Sequence, residues 1–190
     1  KVQVIKKGAR VATISEGAEV RRVLEERTVS QKAQLYAIGD DFCFEACQDK
    51  QFGGWLVNMK GIKGAYDQVR LPLRGEYQVK NMALAVAVSE LYLGGRLDAA
   101  KLKHSLAAMK VEGRFEIIRK NPTVIADASH NPEGIGWFCR NLTEYYPRNK
   151  KIIIFAVLKD KDYGKMAEQI IGVADTLILT SSQNERSLDI

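Results

Sequence analysis

Hydrophobic and polar residues repeat with different periods along the chain. In the first forty residues, the apolar runs 11–14 and 34–38 each predict a short strand, and apolar residues at helical spacing over 18–24 predict an amphipathic helix between them. From 42 to 71 the period shortens towards two, with glycine pairs at the turns. This alternation predicts a meander of antiparallel strands.

The pattern becomes helical after Pro72. Residues 81–93 are rich in Ala, Leu and Val on nearly all sides, which predicts a buried helix that ends at Gly94-Gly95. A second helix is expected from Asp98, a suitable N-cap, to about Met109. A short connection resembling a hinge, residues 111–114, follows.

Beyond this connection, predicted strands and helices alternate. The strands are expected at 115–118, 123–126, 151–157 and 176–180, and the helices at 132–145 and 163–171. Such alternation is typical of a parallel sheet with crossover helices. The predicted fold class is α/β, with a domain boundary near Gly113 that separates residues 1–112 from 113–190.

The composition argues against a membrane-spanning protein and against a metal site built from cysteines. A chain of 190 residues that is 46% hydrophobic and 27% charged is typical of a globular protein, and its apolar runs are shorter than the ~20 residues of a membrane span. Cys43, Cys47 and Cys139 fit no metal-binding spacing, which favours reduced thiols in a cytoplasmic protein. The net charge of +6 is weak support for nucleic-acid binding, because the basic residues are scattered along the chain.

The stretch from Val124 to Gly134 carries the strongest chemical signal. A buried strand is predicted to end at Asp127, and Asn131-Pro132 begins a helix. The carboxyl ends of parallel strands are where α/β sheets bind ligands, and a carboxylate there can accept hydrogen bonds from ribose hydroxyls. His130 is placed to reach a phosphate or a carboxylate. The alternative is that Asp127 and Asn131 only cap backbone groups.

Residues 127–134, D-A-S-H-N-P-E-G, resemble the D-G-A-H-N-P-E-G signature of folylpolyglutamate synthases, members of the Mur ligase superfamily. Four further segments agree in order and spacing: 113–116 with G-R-F/L-E, 73–81 with L-x-G-x-H-Q-x-x-N-A, 158–162 with the D-K-D loop, and 1–8 with K-A-G-I-I-K-P-G. Departures include Tyr77 in place of His and Met82 in place of Ala.

This resemblance implies an amide-forming ligase that adds L-glutamate to folate, tetrahydrofolate or their polyglutamates through an acyl-phosphate. Dihydropteroate is an additional candidate substrate. The resemblance implies ATP and Mg²⁺ as cofactors, folate and L-glutamate as small-molecule partners, a cytoplasmic monomer, and neither nucleic acid nor membrane as a partner. It also implies that 1–112 are the end of a Mur-ligase-type ATPase domain and 113–190 a Rossmann-like C-terminal domain.

The resemblance assigns nucleotide contacts to five positions: Gln78 and Asn81 at the adenine, Arg114 and His130 at the phosphates, and Asp127 at the ribose. Arg114 and His130 would also be catalytic, and His130 would alternatively lie near the incoming glutamate. Two alternatives stay open, since Asn81 would equally cap the buried helix and Arg114 would equally be a surface arginine.

Lys1 matches a lysine that is carbamylated in family members, so the resemblance implies a catalytic carbamate near a metal; an irregular chain end is the alternative. Asp160 and Asp162 are expected to be loop and helix-capping residues, with a closure role as the alternative. Ser181 and Ser182 lie where relatives place glutamate contacts, and ordinary loop hydroxyls are the alternative there. No phosphate-cradling G-x-x-x-x-G-K-[ST] motif occurs in the sequence. We therefore expect a fragment that begins inside one domain and ends inside the next, inactive alone; a non-catalytic module that binds a nucleotide or a protein partner is the alternative.

Overall fold

The structure, a computed structural model, describes residues 2–49, 53–181 and 183–188. The chain divides into two compact units, Lys1–Lys110 and Val111–Ile190. This division lies two residues before the boundary that the sequence pattern predicts. No helix in the described ranges combines the length and the apolar character that crossing a membrane requires.

The described residues of the first unit form two separate sheets and three α-helices. Its elements are, after a short 3-10 turn at Val2–Val4, β1 (Arg10–Thr13), α1 (Ala18–Ser30), β2 (Gln34–Ala37), β3 (Cys43–Asp49), β4 (Gly54–Lys60), β5 (Ala65–Leu71), α2 (Glu76–Leu93) and α3 (Ala99–Ala107). β1 and β2 pair in parallel with α1 as the crossover, and β3, β4 and β5 form an antiparallel meander. The predicted strand, helix and meander are confirmed.

The core of this unit lies between the meander and α2. Alternate residues of β4 and β5 point inward, so that Val57 and Leu71 are fully buried, and Val79, Ala83 and Ala87 are fully buried on α2. Burial of these apolar side chains is the main stabilising contribution to such a core, at roughly 25 cal/mol per Å² of apolar surface removed from water.

Helix α2 differs from its prediction in two respects. It begins at Glu76, five residues before the predicted start, because the polar residues of its first turn also adopt helical geometry. Its exposed side carries Val88 and Tyr92, which are 48% and 83% exposed, so the apolar composition did not mean burial on nearly all sides. The helix ends as predicted at Gly94, whose φ of 74° is the left-handed conformation that glycine adopts without strain.

The second unit combines an antiparallel pair of strands with a β–α–β unit. Its elements are β6 (Glu116–Lys120), β7 (Thr123–Ala126), α4 (Pro132–Tyr145), β8 (Ile152–Phe155), α5 (Tyr163–Ile171) and β9 (Thr176–Leu179). β8 and β9 pair in parallel with α5 as the crossover, which confirms the predicted arrangement for this part of the chain. The core includes Phe115, Ile135, Met166 and Ile170.

The expectation of parallel pairing is wrong for the first two strands of this unit. β6 and β7 pair antiparallel, with Glu116 opposite Ala126. Only residues 121 and 122 connect them, and a parallel pair needs a crossover of a dozen or more residues. This pairing brings the start of β6 next to the end of β7, where two of the segments singled out in the sequence lie.

Candidate functional site

Two of the segments singled out in the sequence lie side by side in the second unit. The loop Gly113–Glu116 runs into β6, of which Glu116 is the first residue, and the turn 127–131 follows β7, so the antiparallel pairing of these strands brings loop and turn together. The Ala128 N–H donates to the Gly113 carbonyl oxygen at 2.8 Å, which extends the contact beyond the ladder. Within the loop, the Gly113 N–H donates to Glu116 Oε2 at 2.9 Å.

Asp127 is the centre of this arrangement. Its Oδ2 accepts a hydrogen bond from the Phe115 N–H and its Oδ1 accepts one from the Ser129 N–H, both at 2.8 Å. The side chain is half-buried. A carboxylate has about four lone-pair sites, so two hydrogen bonds leave acceptor capacity for hydroxyl groups of a ligand. Asp127 therefore performs the backbone-capping role that the sequence left open, and it does so without using up its acceptors.

The loop has an unusual backbone conformation that its core contacts stabilise. Gly113 has φ 64° and Phe115 has φ 48°, and the latter is uncommon for a residue with a side chain. Phe115 is only 3% exposed and packs against three aromatic rings, those of Phe138, Tyr145 and Tyr146, at centroid distances of 5.9, 5.9 and 6.5 Å. The buried ring thus holds the loop in place, so that the preceding residue, Arg114, has a fixed backbone position.

Arg114 is half-buried between the two constrained residues of this loop. Within the described residues its guanidinium group has no hydrogen-bond acceptor and no acidic partner. A guanidinium group offers five N–H donors in a planar fork that matches phosphate oxygens. Its intermediate exposure fits both alternatives that the sequence left open, a phosphate contact and a surface arginine.

His130 and Asn131 form the approach to helix α4. The Nδ1 atom of His130 lies 3.1 Å from the Ala128 carbonyl oxygen, and since a carbonyl only accepts, Nδ1 carries the proton. Nε2 of the exposed ring is therefore the nitrogen available to a ligand. Asn131 caps α4 by accepting from the Gly134 N–H at 2.7 Å, as predicted. A Cβ atom at Gly134, in the first turn of α4, would lie 2.8 Å from Ser129 Oγ, so a side chain there would displace Ser129.

The two residues assigned to adenine lie on the first turns of α2, in the first unit. Gln78 is buried, Asn81 is exposed, and Asn81 Nδ2 donates to Gln78 Oε1 at 3.3 Å. Gln78 Nε2 in turn donates to the Tyr77 hydroxyl at 3.2 Å. Asn81 lies in the second turn, and the N-cap position of this helix is Gly75, so the alternative that Asn81 caps the helix is wrong. Its side-chain oxygen and second N–H are available for the edge of a base.

Two predicted site positions, Lys1 and Ser182, lie outside the described residues. Among the residues that are described, no group of three or more His, Cys, Asp or Glu side chains is arranged to hold a metal ion. We derive no chemical step through a metal. Ser181 is exposed.

The aspartates of the 158–162 loop have the structural roles expected of them. Asp162 caps α5 by accepting from the Lys165 N–H at 3.4 Å. Asp160 forms ion pairs with Lys161 at 3.1 Å and with Arg186 at 2.8 Å. These two cations lower the pKa of Asp160 to about 2, the Lys161 contact being the larger cause.

Sequence reasoning missed one buried polar network in the first unit. Glu90 is fully buried on α2, and it accepts hydrogen bonds from the Tyr66 hydroxyl at 2.7 Å and from the Lys63 N–H at 3.0 Å. Burial is the main cause of a raised pKa at Tyr66, followed by its hydrogen bond to Glu90. The available signal was a single carboxylate within an apolar helix, which is costly unless it is hydrogen-bonded.

Comparison with known proteins identifies the relatives of this chain. Residues 113–190 match the sequence model of the family "Mur ligase, glutamate ligase domain". The dihydrofolate synthase/folylpolyglutamate synthase of Mycobacterium tuberculosis is 32% identical over 142 residues, which cover 73% of this chain and 29% of that protein.

Solved structures agree over nearly the whole chain. Folylpolyglutamate synthase of M. tuberculosis complexed with ADP superposes with a TM-score of 0.89 at 28% identity, covering 95% of this chain and 40% of that chain. A folylpolyglutamate synthase complexed with AMPPCP and folate gives a TM-score of 0.85 at 25% identity, covering 100% of this chain and 46% of that one. The chain thus spans less than half the length of each of these relatives.

The likeness extends across both units, and it confirms the α/β fold class with a Rossmann-like C-terminal domain. The five sequence segments, the fold and the family match agree with one another. The chain belongs to the folylpolyglutamate synthase and dihydrofolate synthase family of the Mur ligase superfamily.

Proposed function

We propose that the protein is an ATP-dependent ligase that adds L-glutamate to folate, tetrahydrofolate or their polyglutamates. The observation that carries this proposal is the cross-linked pair formed by the Gly113–Glu116 loop and the 127–131 turn, in which Asp127 holds both segments. Their sequences match the family signature, and the relatives' names supply the substrate class. Dihydropteroate is a second candidate substrate, since the relative from M. tuberculosis carries both names.

The chemistry proceeds in two steps. A substrate carboxylate oxygen attacks the γ-phosphorus of ATP, which gives an acyl-phosphate and ADP. The amine of L-glutamate then attacks the acyl carbon, phosphate leaves, and the amine loses a proton as the amide forms. Because both transition states carry phosphoryl negative charge, fixed cations and N–H donors supply most of the protein's contribution.

In this scheme Arg114 contacts the phosphates. Its backbone is held by the buried Phe115, and its guanidinium group has no acidic partner within the described residues. A guanidinium group placed beside the transferred phosphoryl group stabilises the negative charge that develops there. His130 Nε2 is the exposed nitrogen that would accept a proton or, when protonated, contact a phosphate or the incoming glutamate.

Asp127 retains lone pairs for ribose hydroxyls, and Gln78 and Asn81 present amide groups for adenine. In the domain scheme we propose, residues 1–112 are the C-terminal part of an ATPase domain and residues 113–190 the Mur-ligase-type C-terminal domain. Lys1 as a carbamate near Mg²⁺, cytoplasmic location and a monomeric state complete the proposal.

The decisive experiment uses the protein produced from its complete coding sequence. Given ATP, Mg²⁺, reduced folate and L-glutamate, it should release ADP and lengthen the folate by glutamate units, which mass spectrometry detects. Glutamylation of no folate, with nucleotide binding retained, would support a non-catalytic module instead.

Two substitutions test the assigned roles within that assay. Asp127→Asn keeps one acceptor for the backbone and should raise the KM for ATP, whereas Arg114→Ala should lower kcat, since its contact strengthens as phosphoryl charge develops. Arg119→Ala is the matched control, because Arg119 is an exposed arginine in the adjoining strand. An Arg114→Ala variant whose kcat equals that of Arg119→Ala would remove Arg114 from the mechanism.

A further inference from the structure

The net charge of the protein is confined to one of its two units. Residues 1–110 contain 18 Lys and Arg against 12 Asp and Glu, whereas residues 111–190 contain 11 of each. The whole excess of +6 therefore belongs to the first unit. Within the first unit the basic residues are not evenly spread, although they look scattered along the sequence.

Two segments of the first unit contain several cations and no acidic residue. They are 2–10 and 27–34, and their basic residues, named here the basic cluster, are Lys6, Lys7, Arg10, Arg27 and Lys32. Four of these side chains are exposed, and Arg27 is half-buried. The cluster therefore presents most of its charge to solvent.

Hydrogen bonds hold the two segments next to each other. The Gly8 N–H donates to the Gln31 carbonyl oxygen, and the Gln34 N–H donates to the Ala9 carbonyl oxygen, both at 2.9 Å. Arg10 lies opposite Gln34 in the parallel ladder of β1 and β2. The fold thus places next to each other two basic segments that are separated by about twenty positions in the sequence.

The charges of the basic cluster are not neutralised within the described part of the chain. None of its five cations forms an ion pair there. The nearest acids along the sequence, Glu25 and Glu26, are already paired with Arg21 and Arg22 at 3.2 Å each. A group of fixed cations without counter-charges attracts a flexible polyanion.

We infer that the basic cluster binds the polyglutamate tail of the folate substrate. This inference rests on the proposed function, because each ligation consumes one carboxylate and brings two, so the tail gains one negative charge per added glutamate. After each added glutamate, the longer tail contacts more of the cations in the basic cluster. The cluster would thereby favour long-chain folates over the monoglutamate.

The composition of the cluster favours this occupant over nucleic acid. Neither segment 2–10 nor segment 27–34 contains Phe, Tyr or Trp. Single-stranded nucleic acids are held by bases stacked on aromatic side chains together with backbone charge, and these segments offer only the charge. A glutamate oligomer has no bases to stack, so positive charge alone is enough to bind it.

Binding of labelled glutamate oligomers, measured by fluorescence anisotropy without ATP, tests the inference directly. The chain should bind a hexamer more tightly than a trimer, and more tightly at low than at physiological ionic strength. The double variant Lys6→Glu/Lys7→Glu should weaken hexamer binding by about tenfold. The matched control is Lys103→Glu/Lys110→Glu, which reverses two exposed lysines elsewhere in the same unit and should change binding less than about twofold.

Three results would overturn the inference: equal losses in both double variants, a hexamer that binds no more tightly than free glutamate, or stronger binding of a single-stranded oligonucleotide of equal charge. Thermal melting followed by circular dichroism confirms that both variants fold.

In the ligase assay Lys6→Glu/Lys7→Glu should leave kcat with monoglutamyl folate unchanged and raise KM for polyglutamyl folate. Because oligomer binding is measured without catalysis, its loss and a failure to release ADP are separate results.

Discussion

Glu90 shows how much depends on a single buried residue. Its carboxylate is removed from water, and its partners are the Tyr66 hydroxyl and a backbone N–H of the β4–β5 turn. Tyr66 also accepts a hydrogen bond from the Leu97 N–H at 2.8 Å, so one hydroxyl connects β5, α2 and the segment before α3. A buried carboxylate that loses a donor keeps its desolvation cost without compensation.

Replacing Tyr66 by phenylalanine should therefore destabilise the first unit. The Tyr66→Phe variant removes a donor from Glu90 and an acceptor from Leu97, which we expect to lower the free energy of unfolding by roughly 2–4 kcal/mol. Tyr92→Phe is the control, because Tyr92 is 83% exposed and should change stability very little. Urea unfolding followed by circular dichroism measures both, and equal stabilities of the two variants would contradict the role of this network.

The ion pairs of Asp160 predict how its contribution to stability depends on pH. Hydrogen bonds from Lys161 and Arg186 lower the pKa of Asp160 to about 2, below the ordinary 3.8. Because the folded-state pKa is depressed, the stabilising contribution is present above the unfolded value near 3.8 and is lost as the pH falls through about 2.

The Arg186→Ala variant should raise the pKa of Asp160 without restoring it fully, since the larger effect, from Lys161, remains. An NMR titration of the Asp160 carboxyl carbon measures this shift. Arg148→Ala, which replaces an exposed arginine in another loop, should leave the titration unchanged. An identical pKa in the two variants would show that Arg186 does not act on Asp160.

At the scale of elements, the ends of the helices are fixed by local chemistry. Asn131 and Asp98 each cap a helix with a side-chain oxygen, and α2 ends at Gly94 in the left-handed conformation. The C-terminal segment is joined to the 158–160 loop by backbone pairing of Leu158 with Ser187. Turns and caps of this kind decide where elements stop, and burial decides how they pack.

Two adjacent glycines separate conformational cost from steric cost at the end of α2. A Cβ at Gly94 or at Gly95 would meet no atom within 4 Å, but only Gly94 has a positive φ. Gly94→Ala should therefore lower the free energy of unfolding by about 1 kcal/mol, whereas Gly95→Ala should not. Thermal or urea unfolding of the two variants provides the comparison, and equal losses would refute the conformational explanation.

At the scale of the whole molecule, two compact units are joined by an exposed connection. Lys110, Val111 and Glu112 are exposed and lie outside helices and strands. The units also differ in charge, since the sequence of the first carries +6 and that of the second is neutral. Connections with few contacts are where proteases cut first.

Limited trypsin digestion should cut first after Lys110. The expected fragments are residues 1–110, which bind a cation exchanger, and residues 111–190, which do not; mass spectrometry identifies each. The Lys110→Gln variant removes this site and should slow the first cut. First cleavage within α1 or α3 would contradict the division into two compact units.

The sequence by itself determined most of the local structure and the family. Helix α4 and helix α5 have the bounds that were expected, because a capping side chain and a helical period lie in adjacent residues. The five family segments are likewise short runs of consecutive residues. Information of this kind lies within short stretches of sequence, so it can be read without knowing the fold.

Only the tertiary structure decided which distant residues meet. It paired β6 with β7 antiparallel, which brought Phe115 to Asp127, and it buried Glu90 against Tyr66. It also gathered the basic cluster from two segments that look unremarkable in sequence. These outcomes depend on strand pairing and on packing between residues far apart in the chain, and no periodicity or spacing encodes such contacts.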